Sequence, residues 1–323
     1  MRKLLAGLLS AALSANAQQA ASNLVAEKTG DSIAIVNTND PAETEYRKIL
    51  LDDDAAEKDV LHWTDDAEAF DKAAGSDPKA TLHLRIQQRL DTVRREYESF
   101  LRLHPEHVNA HLAFGSFLND THDEEGAVKH WDTARQLVPT NPAPWNNLAN
   151  YYGHRGPVKK AFEYYAKAIE LDPNESVYYH NLAVTVYLFR TDAREYFNLT
   201  EQEVFDKSLE LYRQAIKLAP DDFVLFSDYA ESFYGTNPPR WKDGLEAWTQ
   251  ALKIVHDEDE REGVYIHLAR IDVKLGRFDE ARMRLNGVTN PAYATLKYRI
   301  TTNLNQAIAR EQTNAPAQSA DGK

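Results

Sequence analysis

Proline recurs every 34 residues in the middle of this chain, at Pro105, Pro139 and Pro173. A fixed interval of that size commits the chain to a stack of similar units rather than to one globular core. Aligned on those prolines, the preceding positions repeat as well. Ala127, Trp131 and Ala134 stand before Pro139 as Ala161, Tyr165 and Ala168 stand before Pro173, and as Ser208, Tyr212 and Ala215 stand before Pro220. Further upstream, Trp145, Leu148, Ala149 and Tyr152 correspond to Tyr179, Leu182, Ala183 and Val186, and then to Phe226, Tyr229, Ala230 and Phe233. Each set has the three- and four-residue spacing of one helix face. Small residues at fixed places let two helices approach, aromatic residues fill the gaps beside them, and proline ends the second helix. The chain is therefore expected to be all-α.

The best-kept unit reads WNNLANYYGHRGPVKKAFEYYAKAIELDPN from Trp145 to Asn174. It resembles the tetratricopeptide repeat family. That resemblance implies an α-solenoid of antiparallel helix pairs wound into a right-handed superhelix, and it covers residues 108–291. Five units are expected, at 108–141, 142–175, 176–222, 223–261 and 262–291. A single unit cannot bury its apolar face alone, so the array needs closing elements at both ends. Residues 79–107 supply one as a capping helix or degenerate repeat, with Leu84, Leu90, Val93, Tyr97 and Phe100 on its face. Residues 292–310 supply the other, on the stripe Tyr293, Leu296, Ile300, Leu304 and Ile308. The tail 311–323 has little to bury and is expected to be disordered.

Two units depart from the period. The third carries extra residues around FRTDAREYFNLTE, where Thr200 and Glu203 have the spacing of a capping box. That assignment also explains Asn198 and Thr200 better than a glycosylation sequon does. The fourth carries GTNPPR, in which Pro238 and Pro239 forbid helix.

Ahead of the repeats, Arg2 and Lys3 precede an apolar run from Leu4 to Leu13, and small residues follow to Ala15 and Ala17. This is the pattern of a secretory signal at 1–17, with Gln18 as the expected mature N-terminus and export to a bacterial envelope or medium as the expected destination. Cleavage there removes two cations and takes the net charge from −13 to −15. Residues 18–40 read as a disordered linker and 41–78 as an acidic helical segment. Across 18–78 there are 15 acidic and 5 basic side chains. The pattern suggests three short helices: one after Asp40 and Pro41, one after Asp52, Asp53 and Asp54, and one from Thr64 to Phe70. In that arrangement the aspartates cap helix starts. A cation site or a self-docking acidic arm are the functional alternatives.

Chemistry is mostly excluded. The chain has no cysteine, so disulfides, thiolate catalysis and cysteine-bound metals are ruled out. Its acidic balance opposes general nucleic-acid binding. No apolar run reaches the roughly 18 residues of a spanning helix. No catalytic or phosphate-binding signature of the HExxH, GxSxG, GxGxxG or Walker type occurs among only 13 glycines. His122 to Glu125 and His256 to Glu260 hold metal-ligating residue types, but both fall between expected helices, where acidic residues serve as caps. No metal, cofactor or catalytic residue is therefore expected.

What remains is recognition. By the family resemblance, the first helix of each pair lines an inner groove. Asn146, Asn147 and Asn150, then His180 and Asn181, then Asp228 and Glu231, then His267 and Arg270 would face a ligand there. An amide both donates and accepts, so such residues suit an extended peptide backbone, with a partner helix as the other occupant. Amides that simply bond within the stack are the structural alternative. The lysine-rich clamp that some family members use for a partner's C-terminal carboxylate is not matched, since Leu112 and Ser116 stand where it needs Lys and Asn. The expected function is a non-catalytic scaffold for a protein or peptide partner. The alternative from another class is an enzyme whose site combines the 189–201 insertion with the acidic segment.

Overall fold

The computed structural model describes residues 40–74 and 79–314. The expected signal at 1–17, nearly all of the 18–40 linker and most of the tail lie outside the described residues. The described chain is helical without strands and divides into two compact units after Pro173.

The first unit begins with α1 (Pro41–Ala74) and α2 (Lys79–Leu103). The repeat pairs α3 (Val108–Asp120) with α4 (Glu124–Leu137), and α5 (Ala143–Arg155) with α6 (Val158–Leu171), follow. Small residues are the reason the paired helices pack closely: Ala127, Ala134, Ala149, Ala161 and Ala168 are fully buried. Trp131 reaches across its pair and donates from Nε1 to the Leu112 carbonyl at 3.3 Å. Opposite it a side chain at Gly115 would force the indole to shift, because an added Cβ would stand 2.4 Å from that same nitrogen.

The three short helices expected in the acidic segment are one. Asp40 does cap the start, accepting from the Ala42 N–H at 2.9 Å, but α1 then runs 34 residues without interruption. Asp52 and Asp53 are mid-helix because their partners lie on α2. Arg89 donates to both Asp52 oxygens at 2.8 Å and to Asp59 at 3.0 Å. Asp53 is buried and accepts from the Tyr97 hydroxyl at 2.8 Å. An aspartate costs a helix interior only a few tenths of a kcal/mol, and charge-assisted bonds to a neighbouring helix outweigh that. The apolar side of α1 supplies Tyr46, Ile49 and Leu50 to the core, and Tyr46 donates to the Asn109 carbonyl at 3.0 Å. The arm therefore docks on its own chain.

The second unit holds α7 (Ser176–Leu188), α8 (Arg190–Phe197) and α9 (Glu201–Leu218), then α10 (Phe223–Ser232) and α11 (Trp241–Ala251), then α12 (Glu258–Lys274), α13 (Phe278–Asn286) and α14 (Ala294–Asn314). The first extra stretch is α8. It stops at Asn198, whose φ of 52° is left-handed, and the expected capping box of Thr200 and Glu203 opens α9. The second follows a 3-10 turn at Phe233–Gly235. Ser208 ties α9 to α7 by donating to the Ala183 carbonyl at 2.9 Å. The final helix closes the unit with Ile300 and Leu304 buried, and it continues past residue 310 to Asn314.

Candidate functional site

The residues expected to line a groove behave differently in the two units. In the first, Asn146 and Asn147 are only 4% and 9% exposed, and both have partners within the protein. Asn150 accepts from the Tyr165 hydroxyl at 2.6 Å. The Asn150 amide is thus committed to the structure around it. The same unit buries an imidazole pair. His111 donates from Nε2 to the Pro105 carbonyl at 3.0 Å, which leaves its Nδ1 to accept from His130 Nδ1 at 2.8 Å. Burial lowers both basicities, and with its His111 and Lys129 neighbours it pushes His130 to about 4.

In the second unit, five of the expected residues come together across three successive first helices. His180 of α7 donates from Nε2 to Asp228 of α10 at 2.7 Å. One helical turn on, Glu231 of α10 stands 3.7 Å from Nε2 of His267 on α12. The Tyr234 hydroxyl donates to Nδ1 of the same imidazole at 3.0 Å, and Arg270 lies 4.4 Å over the Tyr234 ring. Trp248 stacks on His267 at 4.1 Å between ring centroids. Burial, with the Arg270 charge, pushes His267 down to about 4, so it is neutral near pH 7. Burial and the nearby Asp228 raise Glu231. Asp228 and Glu231 remain 40% and 55% exposed. The result is a polar ladder fixed from inside and open to solvent on its acidic steps. Asn181 is half-buried and engaged within the protein.

His267 and Arg270 also wall a cleft of ≈ 550 Å³ between α12 and α14. Val273 and Lys274 continue its α12 side, and Leu296, Arg299, Asn303, Gln306 and Arg310 form its α14 side. Sequence reasoning reached only the first two. Arg299, Asn303, Gln306 and Arg310 stand beside the apolar stripe of α14, and only the packing of α14 on α12 makes them a cleft wall.

The metal-like clusters are structural. Asp123 caps α4 by accepting from the Gly126 N–H at 3.0 Å and pairs with Arg94 at 2.8 Å, and those bonds lower its carboxyl below the usual range. Asp257 caps α12 by accepting from the Glu260 N–H at 2.9 Å. Among the described residues no three His, Asp or Glu side chains are grouped to hold a metal ion. None of their helices is long and apolar enough to cross a membrane.

A profile of the tetratricopeptide repeat matches residues 143–175, the unit centred on α5 and α6. The chain is a tetratricopeptide-repeat protein of all-α solenoid fold. It is 33% identical over 79 residues to the photosystem I assembly protein Ycf3 of Rippkaea orientalis, covering 24% of this chain and 46% of that one. The chain thus spans about half the length of that curated relative. Two solved structures share the fold: PilW, a type IV pilus biogenesis factor, with a TM-score of 0.52 at 15% identity, and PilF of Pseudomonas aeruginosa, with 0.51 at 13%. Each match covers 69% of this chain and 94% of the other.

Proposed function

We propose that this protein is a non-catalytic scaffold that holds a segment of a partner protein, an extended peptide or a helix, along the first-helix face of its second unit. The ladder from His180 through Asp228, Glu231 and His267 to Arg270 carries this proposal. It links three consecutive repeats, its side chains are held in place by neighbours, and its carboxylates are open to a ligand. Preorganised polar groups lose little entropy on binding. The resemblance to an assembly protein over 79 residues supports a role in holding other proteins. An enzymatic site built from the 189–201 insertion and the acidic segment has no comparable support: α8 buries only Ala193, and α1 spends Asp52, Asp53 and Asp59 on Arg89 and Tyr97. Export to the envelope is proposed on the N-terminal pattern alone, and a mature chain beginning at Gln18 is its expected signature.

The test is capture from envelope and soluble fractions by the full chain, with Asp228→Arg/Glu231→Arg beside Lys253→Glu on the second-helix side. The wild type and Lys253→Glu should retain the same proteins, and the ladder variant should lose them. Equal capture by all three would sink the groove assignment.

A further inference from the structure

The cleft between α12 and α14 is basic in a protein whose net charge is −13. Arg270 and Lys274 rise from one wall, Arg299 and Arg310 from the other, and no carboxylate among the described residues lines it. All four side chains are exposed. Among the described residues no carboxylate forms an ion pair with Lys274, Arg299 or Arg310, whereas Arg89, Arg94, Arg240 and Arg284 elsewhere are all paired. The floor is apolar, with Ile266 and Ile300 buried and Val273 and Leu296 half-buried. Arg270 has Glu231 near it, but Lys274, Arg299 and Arg310 repel one another without a paired carboxylate, and an anion between the walls removes that repulsion.

We propose that this cleft binds an acidic, extended segment of a partner protein, whose carboxylates pair with the two walls while an apolar side chain rests on the floor. This rests on the scaffold function proposed above and names the partner's chemistry at the C-terminal end of the same face. From Leu296 to Arg310 the α14 wall is roughly 21 Å long at 1.5 Å per residue, which accommodates roughly six residues of extended chain. Asn303 and Gln306 stand between the arginines, where their amides can pair with that segment's backbone. A peptide fits better than a polynucleotide, because the cationic surface is confined to one short cleft and the acidic remainder of the protein would repel a longer polyanion.

Fluorescence anisotropy with the full chain tests this. The probes are end-capped hexapeptides of alternating glutamate and leucine and of alternating glutamine and leucine, with a short single-stranded DNA as the third. The glutamate peptide should bind at low salt, weaken as salt rises, and exceed both other probes by at least about tenfold. Arg299→Glu/Arg310→Glu should lose at least about tenfold in affinity, the loss of roughly one favourable charge contact, with its circular dichroism unchanged. Should that variant misfold, Arg310→Gln, near the exposed end of α14, should still weaken binding several-fold. Equal binding of the two peptides, preference for DNA, no binding by the wild type, or a dimer of this chain that the charge reversal dissolves would each overturn the proposal. Partner capture that depends on Asp228 and Glu231 while the peptides fail would leave the scaffold function standing and remove only the acidic assignment.

Discussion

The helices at the two ends of the chain do the same mechanical job with opposite electrostatics. At the N-terminal end, α1 covers the first unit, and three of its carboxylates are consumed in doing so: Asp52 and Asp59 by Arg89, Asp53 by Tyr97. At the C-terminal end, α14 covers the second unit chiefly with apolar residues, Ile300 and Leu304 buried against α12 and α13, while its Lys297 donates to the Val288 carbonyl at 2.8 Å. Its arginines beside that stripe are left facing a cleft. Charge spent on docking is unavailable to a ligand, and charge kept out of docking is available. On the proposal made above, that difference favours the C-terminal end for recognition, although the N-terminal end has the more conspicuous charge.

The largest expected effects test whether each end helix really closes its unit. Leu304→Ala removes a side chain only 2% exposed and should destabilise by about 2–5 kcal/mol through lost transfer energy and the cavity left behind. Hydrogen exchange should quicken in α12 and α14 together. Protection that falls only in α14 would show that its packing does not support the repeat beneath it. Arg89→Ala should cost about 1–3 kcal/mol, because it strands two carboxylates, discounted for their partial exposure of 36% and 46%. Denaturant unfolding should show it, and Arg89→Lys should restore only part, since a lysine cannot make the forked contact with Asp52.

Acid should find both units at once. A histidine whose folded-state basicity is depressed binds its proton more readily when unfolded. The stability it contributes is whole above the unfolded value of about 6.5 and is lost as the pH falls toward the folded value. His130 and His267, both pushed to about 4, should therefore each take away roughly 1–2 kcal/mol between pH 7 and pH 4, after allowance for solvent screening. The slope of denaturant midpoint against pH should flatten in His267→Phe, which keeps the ring stacked on Trp248. An unchanged slope would mean that His267 is not held neutral.

The repeat lattice was legible in the sequence because its determinants are local and periodic. Ala149, Ala161, Tyr165 and Pro173 sit where the spacing put them, and Thr200 with Glu203 capped α9 as their spacing implied. The acidic segment was misread for the opposite reason. A run such as Asp52 to Asp54 looks like a helix start only while its partner is unknown, and Arg89 is 37 residues away. The cleft was half legible. His267 and Arg270 followed from repeat register, but Arg299 and Arg310 are defined by their position beside α12, which no periodicity in α14 reveals. Asn146 and Asn147 show the limit of register itself. Equivalent positions share a place in the stack without sharing its exposure. Asn147→Ala should accordingly lower stability by about 0.5–1.5 kcal/mol and leave partner capture unchanged, a pairing that melting and binding on the same variant would check.

The smallest expected effect separates the two ends most cleanly. Arg299→Ala/Arg310→Ala removes two exposed cations that have no carboxylate partner among the described residues, and surface substitutions of that kind usually change stability by no more than about 0.5 kcal/mol. The repulsion they relieve can make the sign favourable, and added salt should shrink even that difference, because screening already weakens the repulsion in the wild type. Arg89→Ala, made in the same background and measured in the same denaturant, should lose several times more. Two arginines removed at little cost beside one removed at a large cost would establish that Arg89 holds the N-terminal helix in place and that Arg299 and Arg310 do not hold the C-terminal one. If the α14 double variant instead loses as much as Arg89→Ala, then Arg299 and Arg310 secure the fold, and the contrast between a spent and an available charge is wrong.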